Sequence, residues 1–301
     1  MMPMESQQMK GKTVVVTGSN SGIGKETAKE LARRGARVVM VVRSAERSTD
    51  AMQEIIEQSG NQDIHMLIAD LSVMGEVRSV AHEFISKFDR LDILVNNAGA
   101  VFGERKLTSE GYERTTALNY LAPFLLTHEL LDLLIQSSPA RIVNVSSGAQ
   151  SLGRIDIENI NYEKDYGTMK AYGTSKLMLT MHTNWLARKL QGTGVTANAA
   201  HPGFVNTNFG EKNTGLGMRI LLKISRPFQK SPEEGAETPI YVAASSEVKG
   251  LSGEFFADRE RKDLPDEVKN EELQERLWRT TEELLGTNYD EKLSRLKAAT
   301  P

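Results

Sequence analysis

The chain has 301 residues, 39% of them hydrophobic and 26% charged, with a formal net charge of −3 and no cysteine. This is an ordinary soluble composition, and so small a charge gives no reason to expect nucleic acid or an anionic membrane as the main partner. The missing cysteines exclude disulfides, thiolate metal sites and cysteine nucleophiles, and suit a reducing cytoplasm.

The first residues are methionine-rich but hold no apolar stretch long enough for a signal sequence. No run approaches the length of a membrane span, so a soluble chain without a transmembrane anchor is expected. From Thr13 onward, short β-branched runs alternate with longer amphipathic segments. Strands are expected at 13–17, 37–42, 64–69, 92–95, 141–145, 195–199 and near 254–256. Helices are expected over 22–34, 45–58, 74–88, 110–136, 171–190 and 233–245. Continuously apolar strands alternating with helices mean a parallel sheet covered on both faces. The expected fold is therefore α/β: a Rossmann-type doubly wound parallel sheet of about seven strands with helices on both faces, spanning 11–258 after a flexible 1–10. Beyond Asp258 the chain is highly charged. Residues 259–301 read as a helical extension packed on the same domain through Leu273, Leu277 and Leu284. The sequon Asn144-Val145-Ser146 ends a buried strand and reads as chance rather than a glycosylation acceptor.

Ligands of such sheets bind beyond the carboxyl ends of the strands, and each motif in this chain falls at one of those ends. Thr17-Gly18-Ser19-Asn20-Ser21-Gly22-Ile23-Gly24 joins the first strand to the first helix. Gly18 permits the tight turn, and the bare Gly22 and Gly24 would let N–H groups approach a pyrophosphate at the positive helix end. The second strand ends in Arg43 rather than in the Asp or Glu of a typical NAD site. A guanidinium there attracts a 2′-phosphate, so NADP(H) is the expected cofactor in preference to NAD(H), with Arg47 assisting. Asp70-Leu71 closes the third strand, with Asp70 placed to contact adenine. Asn97-Ala98-Gly99, after Asn96, suits a backbone running close to a ribose. Pro202-Gly203-Phe204-Val205-Asn206-Thr207 follows the sixth strand, where Val205 and Thr207 would meet the nicotinamide carboxamide.

Tyr172 and Lys176 stand four residues apart on one helical face, where an ammonium would favour phenolate and lower the tyrosine pKa. The phenol could then exchange a proton with a carbonyl or alcohol oxygen. A second pair, Tyr166 and Lys170, sits in an irregular stretch where the two need not share a face, and reads as loop. The Ser146-Ser147 pair ends the fifth strand, where a hydroxyl could stabilise charge on the substrate oxygen. Asn119 is either a satisfied polar residue on a helix bend or the anchor of a water relay to Lys176. The five histidines show no metal-ligand spacing.

Together these motifs resemble the short-chain dehydrogenase/reductase family, in the subgroup with TGxxxGIG, NNAG, a catalytic Asn, a Ser and YxxxK, over residues 10–258. The resemblance implies Asn119, Ser147, Tyr172 and Lys176 as a catalytic tetrad. A narrower likeness lies in TGSNSGIGKETAKELARRGARV, Arg43 and RIVNVSSGAQSLGRI, which look like the retinol dehydrogenase group. That group prefers NADP and acts on apolar aldehydes and alcohols. The 25-residue step from Ser147 to Tyr172 also matches it. Two features depart from the group: the N-terminal apolar anchor of its membrane-bound members is missing, and Lys212, Arg219, Lys223 and Arg226 serve no retinoid. Met218, Ile220, Leu221, Leu222 and Ile224 nevertheless suit the segment 206–230 to a lid over an apolar substrate. The resulting expectation is an oxidoreductase acting on a small apolar carbonyl or alcohol, as a homodimer or homotetramer. The alternatives are reduction of a conjugated C=C bond and a non-enzymatic NADP(H)-binding redox sensor.

Overall fold

The computed structural model describes residues 8–205 and 229–299. Eight strands form one sheet: β1 (Thr13–Thr17), β2 (Arg37–Val42), β3 (Ile64–Ile68), β4 (Ile93–Asn96), β5 (Ala140–Val145), β6 (Val195–His201), β7 (Phe255–Ala257) and β8 (Glu260–Lys262). Their order is β3-β2-β1-β4-β5-β6-β7-β8, parallel throughout except for the antiparallel β7–β8 pair. This is one strand more than the seven that the apolar runs predict. The eighth consists of three exposed residues, Glu260, Arg261 and Lys262, and so has no apolar residue to announce it. The chain winds outward in opposite directions from β1 and β4, which opens a crevice at their carboxyl ends.

Both faces of β1 are buried, which is why it reads as one apolar run rather than an alternation. On one face Val14, Val16, Val38, Met40 and Val95 pack under α1 (Gly22–Arg33), α2 (Thr49–Ser59) and α7 (Pro232–Ala244). On the other face Val15, Val39, Leu94 and Ile142 pack under α3 (Met74–Lys87) and two long helical segments. The first comprises α4 (Arg114–Thr116), a π-turn (Ala117–Leu121) and α5 (Ala122–Gln136), and the second is α6 (Thr168–Lys189). The expected helix over 110–136 starts at Arg114 because Glu113 ends the preceding loop. Its fully buried carboxylate accepts the N–H groups of Thr115 and Thr116 at 2.9 and 2.8 Å. Arg114–Gln136 is, among the described residues, the one helix long and apolar enough to cross a membrane, and 72% of its apolar window is buried within this chain. It is a core helix of the sheet.

The charged extension forms α8 (Asp266–Lys269), α9 (Glu271–Leu285) and α10 (Tyr289–Ala299). The face of α9 that docks carries Gln274, Leu277, Trp278, Thr281 and Leu285. Of the expected stripe only Leu277 is fully buried, while Leu273 and Leu284 lie at the edges. Trp278 shifts the phase: its ring lies 4.6 Å from Phe124 and stacks on His182 at 5.3 Å. Polar bonds then hold the extension in register, with the Tyr289 hydroxyl donating to the Phe124 carbonyl at 2.7 Å and Tyr120 bonded to Thr281 at 2.8 Å. Trp278→Ala should therefore cost ~3–5 kcal/mol, as truncation of a packed aromatic does. Urea unfolding measures this directly, and a loss below ~0.5 kcal/mol, the level of an ordinary surface change, would mean that the extension contributes little to the core.

Candidate active site

The glycine turn is built by backbone demands. Gly18 and Gly22 hold left-handed φ values of +64° and +56°. A Cβ on Gly18 would also stand 3.0 Å from the Ala98 Cα. A Cβ on Gly24 would lie 2.3 Å from Asn97 Nδ2 and 2.5 Å from the Gly18 carbonyl oxygen. Gly24 is thus needed for α1 to approach the end of β4, and Gly22 for its φ, demands that the backbone makes in addition to any approach of a phosphate. Ser19 is fully buried and turns its hydroxyl back to the Val16 carbonyl at 2.9 Å, so it belongs to the turn itself. Asn20, Ser21 and Ile23 lie at the surface of the turn. Ser21 makes no side-chain cap to α1, so the first N–H groups of the helix are left for an anion. A dinucleotide pyrophosphate fits this cradle: a glycine-lined turn, an uncapped helix start and a strand end brought within contact of both.

Arg43, straight after β2, is exposed and has no ion pair or hydrogen bond among the described residues. Asp70 is partly committed, since its Oδ1 accepts from the Ser72 N–H and hydroxyl at 2.9 and 2.7 Å. Leu71 is buried beside it. Asn97 is fixed to the glycine turn by its Nδ2, which donates to the Thr17 carbonyl at 2.8 Å. The Thr17 hydroxyl accepts from both Asn97 N–H and Ala98 N–H at 2.9 Å. Thr17 opens the glycine motif in the sequence, which assigns it no such role.

Asn119 lies in the π-turn, fully buried. Its Oδ1 accepts from Ala100 N–H at 2.9 Å, and its Nδ2 donates to the Ala100 carbonyl and to the Ser175 hydroxyl, both at 3.0 Å. The side chain therefore ties the segment after Gly99 to α6, and a relay would have only the remaining lone pair of Oδ1 or the main chain to use. Gly99 separates it from Lys176: a Cβ there would lie 3.1 Å from Asn119 Oδ1 and 3.2 Å from Lys176 Nζ.

The Ser147 hydroxyl lies close enough to that of Tyr172 to oppose the effect of burial on its pKa. Ser147 also accepts from Ala149 N–H at 3.2 Å, in the short 3-10 turn that follows β5. Its neighbour Ser146 is buried and bonded to the Thr180 hydroxyl at 2.8 Å, so only the second serine faces the crevice. One helical turn beyond Tyr172, the Lys176 Nζ donates to the Val145 carbonyl at 2.8 Å and lies 6.0 Å from the Tyr172 ring centroid. Burial raises the Tyr172 pKa to about 12 against the opposing Ser147 bond, and lowers that of Lys176 to about 8. The expected depression of the tyrosine pKa is thus not met in this geometry. The reason is that burial disfavours both charged forms and the ammonium is turned to a carbonyl. Tyr172 is held as a phenol at neutral pH, ready to donate. Tyr166 by contrast donates to the Phe102 carbonyl at 2.8 Å, and Lys170 is exposed.

After β6, Pro202 is buried and Gly203 takes φ +86°. Val205 pairs with Lys230, and its Cγ2 stands 2.6 Å from where a Cβ on Gly235 would be, with Ile23 3.2 Å from the same point. Val205 thereby meets the glycine turn across α7. Thr207 and almost all of the expected lid 206–230 lie outside the described residues. A polar ladder that was not anticipated runs behind the site: Asn96 Nδ2 to Asn144 Oδ1 and Asn144 Nδ2 to Thr183, both at 2.8 Å. It buries Asn144 completely, as its place at a strand end implied. No cluster of three metal-ligating side chains occurs among the described residues.

A model of the family described as short chain dehydrogenase matches residues 12–215. The mouse protein Retinol dehydrogenase 12 is 41% identical over 283 residues, covering 94% of this chain and 89% of that protein. Human Retinol dehydrogenase 11 is 41% identical over 94% of this chain and 88% of its own length. Among solved structures, an uncharacterized protein of Mycobacterium paratuberculosis superposes with a TM-score of 0.75 at 30% identity, covering 93% and 95% of the two chains. The Pseudomonas aeruginosa RhlG/NADP active-site complex superposes at 0.67 with 27% identity, over 83% of this chain and 96% of that one. The chain belongs to the short-chain dehydrogenase family. It is an oxidoreductase of the retinol dehydrogenase-like kind, built for hydride transfer with a nicotinamide cofactor.

Proposed function

We propose that this enzyme uses NADP(H) to interconvert an apolar aldehyde or ketone and its alcohol, with Tyr172, Ser147 and Lys176 at the reacting oxygen. The observation that carries the reading is the Tyr172–Ser147 hydroxyl pair, one helical turn from Lys176, at the crevice mouth beside the glycine cradle. The unpaired Arg43 supports NADP(H), as does the likeness to a protein solved with NADP. Relatives named for retinol support an apolar substrate.

When bound, the nicotinamide supplies or accepts the hydride. The residues of this chain do the rest. Gly18, Gly22, Gly24 and the first turn of α1 would hold the pyrophosphate, and Arg43 the 2′-phosphate. Ser147 offers a hydrogen bond to the substrate oxygen. Tyr172 holds a proton at its phenolic oxygen and delivers it as the carbonyl oxygen gains charge. Lys176, buried and hydrogen-bonded to Val145, supplies positive charge below that phenol. A phenol held at about 12 is protonated at neutral pH and so has the proton that carbonyl reduction requires.

The purified protein should oxidise NADPH in the presence of aliphatic or polyene aldehydes, faster than it oxidises NADH. Absorbance of the reduced cofactor and identification of the alcohol report this. Turnover that saturates a C=C bond and leaves the carbonyl, or tight NADPH binding with no turnover on any carbonyl, would replace this reading with another.

A further inference from the structure

The β5–β6 ladder ends at Val145 and Ala200, where Ser146 N–H donates to the Ala200 carbonyl at 2.9 Å. Past that point the strands part. The N–H of Gly148, just after Ser147, and the N–H of Gly203, in the turn leading to Val205, both point to a single atom. It is Nδ1 of His201, at 3.1 and 3.3 Å. We propose that His201 is a positioning residue whose neutral imidazole staples the Ser147 turn to the Gly203 turn across the crevice mouth. The proposal rests on the oxidoreductase reading above.

A nitrogen that accepts two N–H bonds cannot carry a proton, so the neutral ring bears its proton on Nε2. Protonating Nδ1 would set a donor against two donors and release both turns at once. The ring is held in place from both sides. Phe255 lies parallel to it at 6.4 Å and 13°, and Gly148 rests against it so closely that a Cβ would stand 3.1 Å from Nε2. The charged groups facing it are Asp258 and Lys230, which are paired with each other. Burial, ahead of either charge, holds the imidazole below its ordinary pKa. The sign follows: the staple is intact above the ordinary imidazole range and is lost as pH falls through the lowered value.

Three variants separate this role from mere packing. His201→Asn can put an amide oxygen where Nδ1 was and cannot titrate. His201→Gln moves that oxygen toward the Nε2 position, and His201→Leu removes the acceptor. Amide exchange at Gly148 and Gly203, which needs no turnover, should speed ~10-fold in His201→Leu, the scale of one lost net hydrogen bond. With NADPH and an apolar aldehyde, kcat should fall ~10-fold on the same scale while the aldehyde KM moves much less. His201→Asn should stay near wild type in exchange and kcat and lose the acid limb of the rate profile. If His201→Leu does not fold, the Gln and Asn variants carry the same contrast. Asn behaving like Leu or Gln, or Gly148 exchange unchanged without the acceptor, would overturn the staple. A wild type inactive on every carbonyl would instead sink the proposed carbonyl–alcohol function and leave the exchange result to judge His201.

Discussion

Tyr172→Phe should lower kcat by ~10²–10⁴-fold, the contribution of a positioned general acid or base, with folding and NADPH affinity unchanged. The substitution removes one oxygen from a side chain that is only 8% exposed and leaves its ring packing in place. The hydroxyl it removes is the one beside Ser147, on a ring whose centroid lies 6.0 Å from Lys176 Nζ. Tyr166→Phe is the matched control. Its hydroxyl serves the Phe102 carbonyl at 2.8 Å and no group of the proposed site, so its loss should show at most in KM. A dead Tyr166→Phe beside a normal Tyr172→Phe would move the chemistry to the other tyrosine and dissolve the proposed tetrad.

The second large effect concerns cofactor choice. Charge-assisted hydrogen bonds contribute ~1.5–3 kcal/mol, so Arg43→Asp should weaken NADPH by ~10–100-fold. NADH should improve relative to it, because the new carboxylate can accept from a 2′-hydroxyl and repels a 2′-phosphate. Arg43 is exposed and has no partner within the described chain, so little stability should go with it. Fluorescence titration of wild type and Arg43→Asp with both cofactors reads the effect. Equal weakening of NADPH and NADH would remove Arg43 from the 2′-phosphate.

Much of the fold was legible because buried parallel strands leave little ambiguity: β1, β2 and β5 are short β-branched runs bounded by glycines and polar residues. What the sequence did not reveal had physical causes. Glu260–Lys262 pairs through its backbone alone, so no side-chain period marks it. The stripe on α9 was read from leucines, whereas Trp278, the larger anchor, sets which face docks. The break at Asn119 is a π-turn, a hydrogen-bond shift that leaves a helical period almost intact.

At the site, the positions of Tyr172, Lys176 and Ser147 were legible, and their electrostatics were not. Spacing on a helix shows that a lysine can reach a tyrosine. Only the fold shows both buried and the ammonium bonded to Val145. Gly24 and Ser19 were placed in the right turn, but what they touch, Asn97 and the Val16 carbonyl, depends on chain brought from elsewhere. His201 carried no motif at all, since its role arises from two glycines that meet it only where β5 and β6 diverge.

The central claim, transfer of hydride to a carbonyl carbon with Tyr172 as proton donor, is tested most directly by isotope. NADPH deuterated at both C4 positions of the nicotinamide is incubated with an apolar aldehyde, and the product alcohol is analysed by mass spectrometry. Wild type and Tyr166→Phe are predicted to place a single deuterium on the carbinol carbon, while Tyr172→Phe incorporates it ~10²–10⁴-fold more slowly. Deuterium found elsewhere in the product, or incorporated by Tyr172→Phe as fast as by wild type, would contradict it.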